Sequence, residues 1–323
     1  MANAIDQTAR GLIVGHAQFG LTEAGKRQTV GRAVHDGDTV GTDPEGNIPV
    51  RLLGVDAPEV SIPLPDGPPN RFTSIKSDGW DRFLTNPFAR GLPAFDPPLS
   101  RRLREFLEAR TGAGAADNHA RHADAATQAL RNKVTQDMAA SGLDADSFRF
   151  FLAFAHEALD RYGRFLAFLH QDRPAGQRKP SYNEQLIDDG LVAPYAIWPN
   201  INPFRKASNL LQAAPSPGQL ADSELDQMRQ AVKDTRNANT GIYEKADPLR
   251  LLPFELRYLA RTTIAGQRKT RPGPDRWVID LTAGDDRIHP PHAYHRILHP
   301  EDRLFVPQEY IPLFETKGWK KQR

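Results

Sequence analysis

The sequence predicts a mixed α+β protein, mainly β with helices, and four stretches carry that prediction. Val30 to Val34 and Val50 to Val55 have the β-branched, alternating character of strands. Residues 119–140, HARHADAATQALRNKVTQDMAA, place Ala123, Ala126, Leu130, Val134 and Met138 at three- and four-residue spacing, the period of a helix with one inward face. Residues 148–170, FRFFLAFAHEALDRYGRFLAFLH, read as two apolar strands around Asp160, Arg161, Tyr162 and Gly163.

The chain has 323 residues, room for about two domains and a sizeable core. Lys and Arg total 42 against 40 for Asp and Glu, a formal net charge of +2. Attraction to a nucleic acid therefore has to come from local clustering, not from net charge. The absence of cysteine excludes disulfides and thiolate metal sites. The first thirty residues contain Asp6, Arg10 and Glu23 and no apolar run of signal-peptide length, and no stretch approaches a membrane span. The expectation is a soluble, cytoplasmic protein with no membrane partner.

Taken in order, GLIVGHAQFGL near the N-terminus reads as a short strand, with His16 in a structural role. Residues 31–59, GRAVHDGDTVGTDPEGNIPVRLLGVDAPE, then concentrate the chemistry. Asp36-Gly37-Asp38-Thr39 makes a tight acidic bend, and Pro44-Glu45-Gly46-Asn47 reads as a hairpin loop between the two strands. Asp56, Ala57, Pro58 and Glu59 follow directly on the second strand. If the two strands pair, their acidic bends meet at one rim, which suits a hard, oxygen-liking cation such as calcium. Arg51, inside the second strand, has the planar donor fork that clamps a phosphate.

DGDTV followed by VRLLGVDAPE resembles the signature of the staphylococcal nuclease (thermonuclease) family, with both halves in order and at hairpin spacing. DRYGRFLAFLH at 160–170 resembles the family's Tyr-Gly-Arg strand, and YNEQLIDDGLVAPY at 182–195 resembles the helix and segment that close its barrel. GIY at 241–243 follows a helical stretch much as the family's last helix ends. The resemblance covers roughly residues 28–60 and 119–243. It implies a five-stranded OB-type barrel with helices, and calcium-dependent hydrolysis of DNA or RNA phosphodiesters. Carried over by position, it puts Asp38, Asp56 and the main-chain carbonyl of Ala57 on calcium, with Asp36 and Thr39 supporting the acidic loop. Ala57 stands where the family often has threonine, a change that a backbone ligand tolerates. Glu59 is implied as general base or water-positioning residue, and Arg51 and Arg164 as the phosphate's two grips. Tyr195 and Trp198 fall where the family meets the substrate's sugar or base; core packing is their plainer reading. Some relatives have lost the catalytic residues and serve as binding scaffolds, which is the alternative for this chain.

The rest of the chain has no such match. Residues 60–115 carry Pro63, Pro65, Pro68, Pro69, Pro87, Pro93, Pro97 and Pro98, a density that breaks long helices and central strands until about residue 99. Trp80, Phe83, Phe88 and Phe95 argue against a disordered linker. LSRRLREFLEAR at 99–110 reads as a basic helix. The insertion is either a cap adding phosphate contacts or, as favoured here, an ordered surface excursion. His119 and His122 at i, i+3 read as a solvated first turn of the next helix rather than a metal pair. QDRPAGQRKPS at 171–181 is a basic loop, and SELDQMRQAVKDTRN at 223–237 a mostly polar helix. From 246 onward a small α+β accessory domain is expected: LLPFELRYLARTTI as helix or strand, RWVIDLTA as a strand. His289, His292, His295 and His299 lie among prolines that break any regular metal geometry.

Overall fold

The computed structural model describes residues 4–7, 13–15, 17–33, 42–44, 46–65, 67–68, 71–90, 98–160, 162–203, 209–220, 222–262 and 276–322. Asp36, Asp38, Thr39, His16 and the basic loop at 266–275 lie outside the described residues. Near the N-terminus, β1 (Ile5–Gln7) pairs antiparallel with β2 (Ile13–Gly15). β3 (Ala17–Phe19) comes before a helical turn, α1 (Val30–Ala33), and pairs antiparallel with β4 (Thr42–Pro44). The strand expected at Val30–Val34 is therefore helical over 30–33. Its amides have a local partner: Arg32 and Ala33 N–H both donate to the Thr29 carbonyl at 2.9 Å.

The second expected strand is two strands, β5 (Val50–Leu52) and β6 (Gly54–Asp56). Gly54 sits at φ +73°, a left-handed conformation that bends the chain between them. β5 and β6 then go to different sheets, and neither pairs with residues 30–33.

The insertion is ordered and forms a hairpin of β7 (Ser61–Pro63) and β8 (Phe72–Ser74), then helices α2 (Asp78–Thr85) and α3 (Arg101–Glu108). Ser100 caps α3 by accepting from Leu103 N–H at 3.3 Å. It is not a surface excursion. Trp80, Phe83, Leu84, Leu103 and Leu107 are buried in a core cluster shared with Tyr195, Leu256, Leu259 and Phe305. The basic face of α3 stays outside, where Arg104 pairs with Glu108 at 2.8 Å one turn on.

The helix expected at 119–140 is α4 (Ala115–Ser141), stopped by Gly142 at φ +66°. Ala123 and Ala126 are buried, and Leu130, Val134 and Met138 half-buried, on the predicted face. β9 (Phe150–Leu159) and β10 (Phe165–Gln171) form the antiparallel pair expected around Asp160–Gly163. α5 (Tyr182–Asp188) starts with a capping box, Ser181 Oγ accepting from Glu184 N–H and Glu184 Oε2 accepting from Ser181 N–H. β11 (Ala193–Ile197), α6 (Leu210–Ala213) and α7 (Ser223–Ala238) follow, α7 capped by Asp222. A 3-10 turn at Gly241–Tyr243 closes this part of the chain.

Residues 246–323 contribute α8 (Pro253–Thr262), β12 (Arg276–Asp280), β13 (Arg287–Ile288), β14 (Arg303–Pro307), α9 (Ile311–Thr316) and β15 (Lys320–Lys321). β12 and β14 do not form a sheet of their own. They join one four-stranded sheet in the order β12-β14-β11-β6, with β14 parallel to β11 and Asp56 of β6 opposite Ala193 of β11. The boundary expected near residue 245 thus runs through a shared sheet and a shared core. A second sheet, β5-β10-β9, sets Leu166 opposite Arg51 in a parallel pairing. The fold is mixed α+β, and the described strands form several small sheets, none of them closed into a barrel. No helix among the described residues is long and apolar enough to cross a membrane.

Candidate functional site

The bend at Leu53–Gly54 folds Arg51 back onto the residue that ends β6: Arg51 Nη2 donates to Asp56 Oδ1 at 2.7 Å. The other guanidinium on Asp56 comes from α8. Arg257 Nη2 donates to Asp56 Oδ2 at 2.6 Å, Nη1 donates to Oδ1 at 3.0 Å, and Nη1 also donates to Glu59 Oε1. Three of the residues singled out in the signature, Arg51, Asp56 and Glu59, therefore share one hydrogen-bonded network with an arginine that the sequence did not flag.

The network runs from closed to open. The Asp56 side chain is 0% exposed, Arg257 15%, Glu59 20% and Arg51 34%. Burial pushes the Asp56 carboxyl up, but the Arg257 and Arg51 charges and hydrogen bonds outweigh it and hold the group below its ordinary value. Burial also works against the charge on Arg257, and Asp56 and Glu59 overcome it, holding that guanidinium well above its ordinary value. Glu59 is tied a second time through its backbone, whose N–H donates to His119 Nε2 at 2.8 Å. His119 is not in a solvated turn. It is 2% exposed, and burial lowers its pKa to about 4, so the ring is neutral and Nε2 is free to accept. His122 is held separately against the Asp247 carbonyl at 2.9 Å.

Other expected site residues lie elsewhere. Arg164 pairs with Asp160, Nη2 to Oδ2 at 2.6 Å and Nε to Oδ2 at 2.7 Å, and shares no bond with the Asp56 network. This is the local ion pair that is the ordinary alternative to a catalytic role. Tyr195 and Trp198 are buried, with their faces taken by other rings. Tyr195 stacks on Phe254 at 5.8 Å and 10°, and its hydroxyl accepts from Arg276; Trp198 meets Tyr310 and Phe314 edge-on. Core packing, not base stacking, describes both rings. Ala57, the residue after Asp56, is exposed. Among the described residues, no three of the C-terminal histidines converge on a metal position; His295 instead packs against Phe106 and the His292 carbonyl.

Asp38, the other side chain that the resemblance puts on calcium, lies outside the described residues. Both Asp56 oxygens hold guanidinium nitrogens, three in all, and the carboxylate itself is buried. What the cluster does offer is cationic donors facing outward. Arg51 spends one nitrogen on Asp56, and Glu59 Oε2 accepts no bond among the described residues.

By its geometry this is a buried carboxylate–arginine site with one arginine and one glutamate at its opening, set in a mixed α+β fold. Comparison with protein-family models, with curated proteins and with solved structures finds no match for the chain.

Proposed function

We propose that the chain hydrolyses phosphodiester bonds of DNA or RNA as a nuclease of the staphylococcal type. One observation carries the reading: Arg51, Asp56 and Glu59, brought together by the kink between β5 and β6, form a single network whose half-open end presents a guanidinium and a carboxylate. The strands within residues 28–60 and 119–243 are then the counterpart of the family's OB-type barrel.

In this reading Arg51 binds the anionic phosphate through the nitrogens not spent on Asp56, neutralising charge that repels a nucleophile. Asp56 keeps Arg51 in place. Glu59, its Oε1 held by Arg257, takes a proton from water through Oε2 as the water oxygen bonds to phosphorus. The P–O bond on the 5′ side breaks, and the departing oxygen is protonated from solvent. Arg164 joins only on leaving Asp160; it directly precedes β10, the strand that pairs in parallel with the Arg51 strand β5. Calcium supplies Lewis acidity in the family.

The test is to incubate the full chain with single-stranded DNA and with RNA, in calcium and in chelator, beside Glu59→Ala. Loss of about a hundredfold or more in the variant is the scale of a general base and supports the reading. Cleavage equal in the two proteins would sink it.

A second reading has its own support. Asp56, Glu59 and Asp160 are all ion-paired with arginines, the pattern of a folded barrel that binds without cutting. Salt-sensitive nucleic-acid binding without cleavage by either protein would select that scaffold role.

A further inference from the structure

We infer that Arg257 is the resident cation of this site, so that a guanidinium from α8 stands where the resemblance puts calcium. The inference deepens the nuclease reading and takes its catalytic meaning from it, but the charge balance it describes stands on the geometry alone.

Arg257 is not a surface arginine that happens to lean on an acid. Its helix is locked into the core: Leu256 and Leu259 on either side of it are fully buried, and Phe254, three residues earlier, stacks on Tyr195. From that fixed base the side chain reaches β6, puts two nitrogens on the two oxygens of Asp56, and extends one of them to Glu59. The Tyr195 ring lies 5.7 Å from the guanidinium carbon, and the Tyr195 hydroxyl is held by Arg276, so the wall beside the cation is rigid as well.

Among the described residues the charges then close. Two carboxylates, Asp56 and Glu59, meet two guanidiniums, Arg51 and Arg257. A metal bridging the same acids does the same neutralising work, and the second guanidinium leaves these two described acids with no excess negative charge to attract one. Arg257 also fixes Glu59 by Oε1, which makes it a positioning residue for the proposed base. A metal-free site of this kind keeps its shape in chelator, whereas a calcium site loses its organising charge.

The test follows calcium itself, with no need for activity. Thermal unfolding and calorimetric titration are run on the full chain in millimolar calcium chloride and in chelator, for the wild type, Asp56→Asn, Arg257→Gln and the double variant. The wild type is expected to unfold at the same temperature in both buffers. Arg257→Gln, which frees Glu59 and leaves Asp56 with Arg51 alone, is expected to gain a calcium-dependent rise of several degrees that the added Asp56→Asn change removes. Saturable calcium binding by the wild type that Asp56→Asn abolishes would overturn the inference, and that comparison decides the matter even if Arg257→Gln does not fold. A folded Arg257→Gln with no calcium response would also overturn it. Neither result depends on cleavage, so failure of the nuclease reading and failure of this one are told apart.

Discussion

Arg257 and Asp56, 201 positions apart in the chain, meet in a two-pronged ion pair, Nη2 to Oδ2 at 2.6 Å and Nη1 to Oδ1 at 3.0 Å. The pair ties the part of the chain with the nuclease-like signature to the part without it, at a carboxylate that solvent does not reach.

Breaking that pair from one side leaves a buried charge with less compensation. Loss of one partner of a buried ion pair costs about 3–5 kcal/mol, and the surviving Arg51 contact at 2.7 Å puts Arg257→Ala toward the low end. Urea unfolding of Arg257→Ala, Asp56→Asn and the double variant is expected to give a coupling above about 1 kcal/mol. Additive changes would show that the two side chains do not stabilise one another.

Acid is expected to weaken the fold in a window set by His119. Its folded pKa is about 4, below the ordinary 6.5, so between those values the unfolded chain takes up a proton that the folded chain does not. The contribution is complete above about pH 6.5 and is lost as pH falls through about 4, a change on the order of 3 kcal/mol. Asp56, also held below its ordinary value, adds a further loss at lower pH. Chemical unfolding at pH 7 and pH 4.5 should show this slope in the wild type and a shallower one in His119→Gln, whose amide oxygen can still accept from Glu59. Equal slopes would remove His119 from the account.

Asn183 ties β10 to the bend between β5 and β6. Its Oδ1 accepts from Leu169 N–H at 3.0 Å, and its Nδ2 donates to the Leu53 carbonyl at 2.8 Å and the Ala167 carbonyl at 3.3 Å. The side chain is buried, so Asn183→Ala strands backbone groups where water does not replace it. A loss of about 3 kcal/mol is expected in thermal or urea unfolding. A change below about 0.5 kcal/mol would mean that the bend before β6 is held by other contacts.

Two glycines with similar backbone angles are expected to respond differently to alanine. Gly241 is at φ +62°, and a Cβ there would lie 2.1 Å from the Gly190 carbonyl oxygen. Gly142 is at φ +66° with nothing within 4 Å. Gly142→Ala should cost only the left-handed conformation, about 1–2 kcal/mol. Gly241→Ala adds a backbone clash and should cost on the order of 3 kcal/mol or more, or prevent folding. Comparable unfolding midpoints for the two variants would contradict this.

Much of the fold was legible because its signals are local. The inward face of α4 repeats every three to four residues, β9 and β10 are apolar runs on either side of a Gly-containing turn, and α5 has its cap one residue ahead of it. The failures were also local in origin. Val30–Ala33 has strand composition, yet the Thr29 carbonyl offers its amides a nearer partner than any strand does. The proline spacing of the insertion excluded long elements correctly but said nothing of the short helix that buries Trp80 and Phe83.

The sequence by itself determined the members of the candidate site that lie close together, Arg51, Asp56 and Glu59, because nine residues and one glycine bend are enough to bring them into reach. Only the tertiary structure decided what neutralises them. Arg257 sits in an apolar-rich helix where an arginine reads as one more polar position, and no local period marks its target. Its role arises because β11 brings β14 and β6 into one sheet, and because the shared core carries α8 to the end of β6. A buried carboxylate needs an opposite charge, and packing between distant segments determines which one it meets.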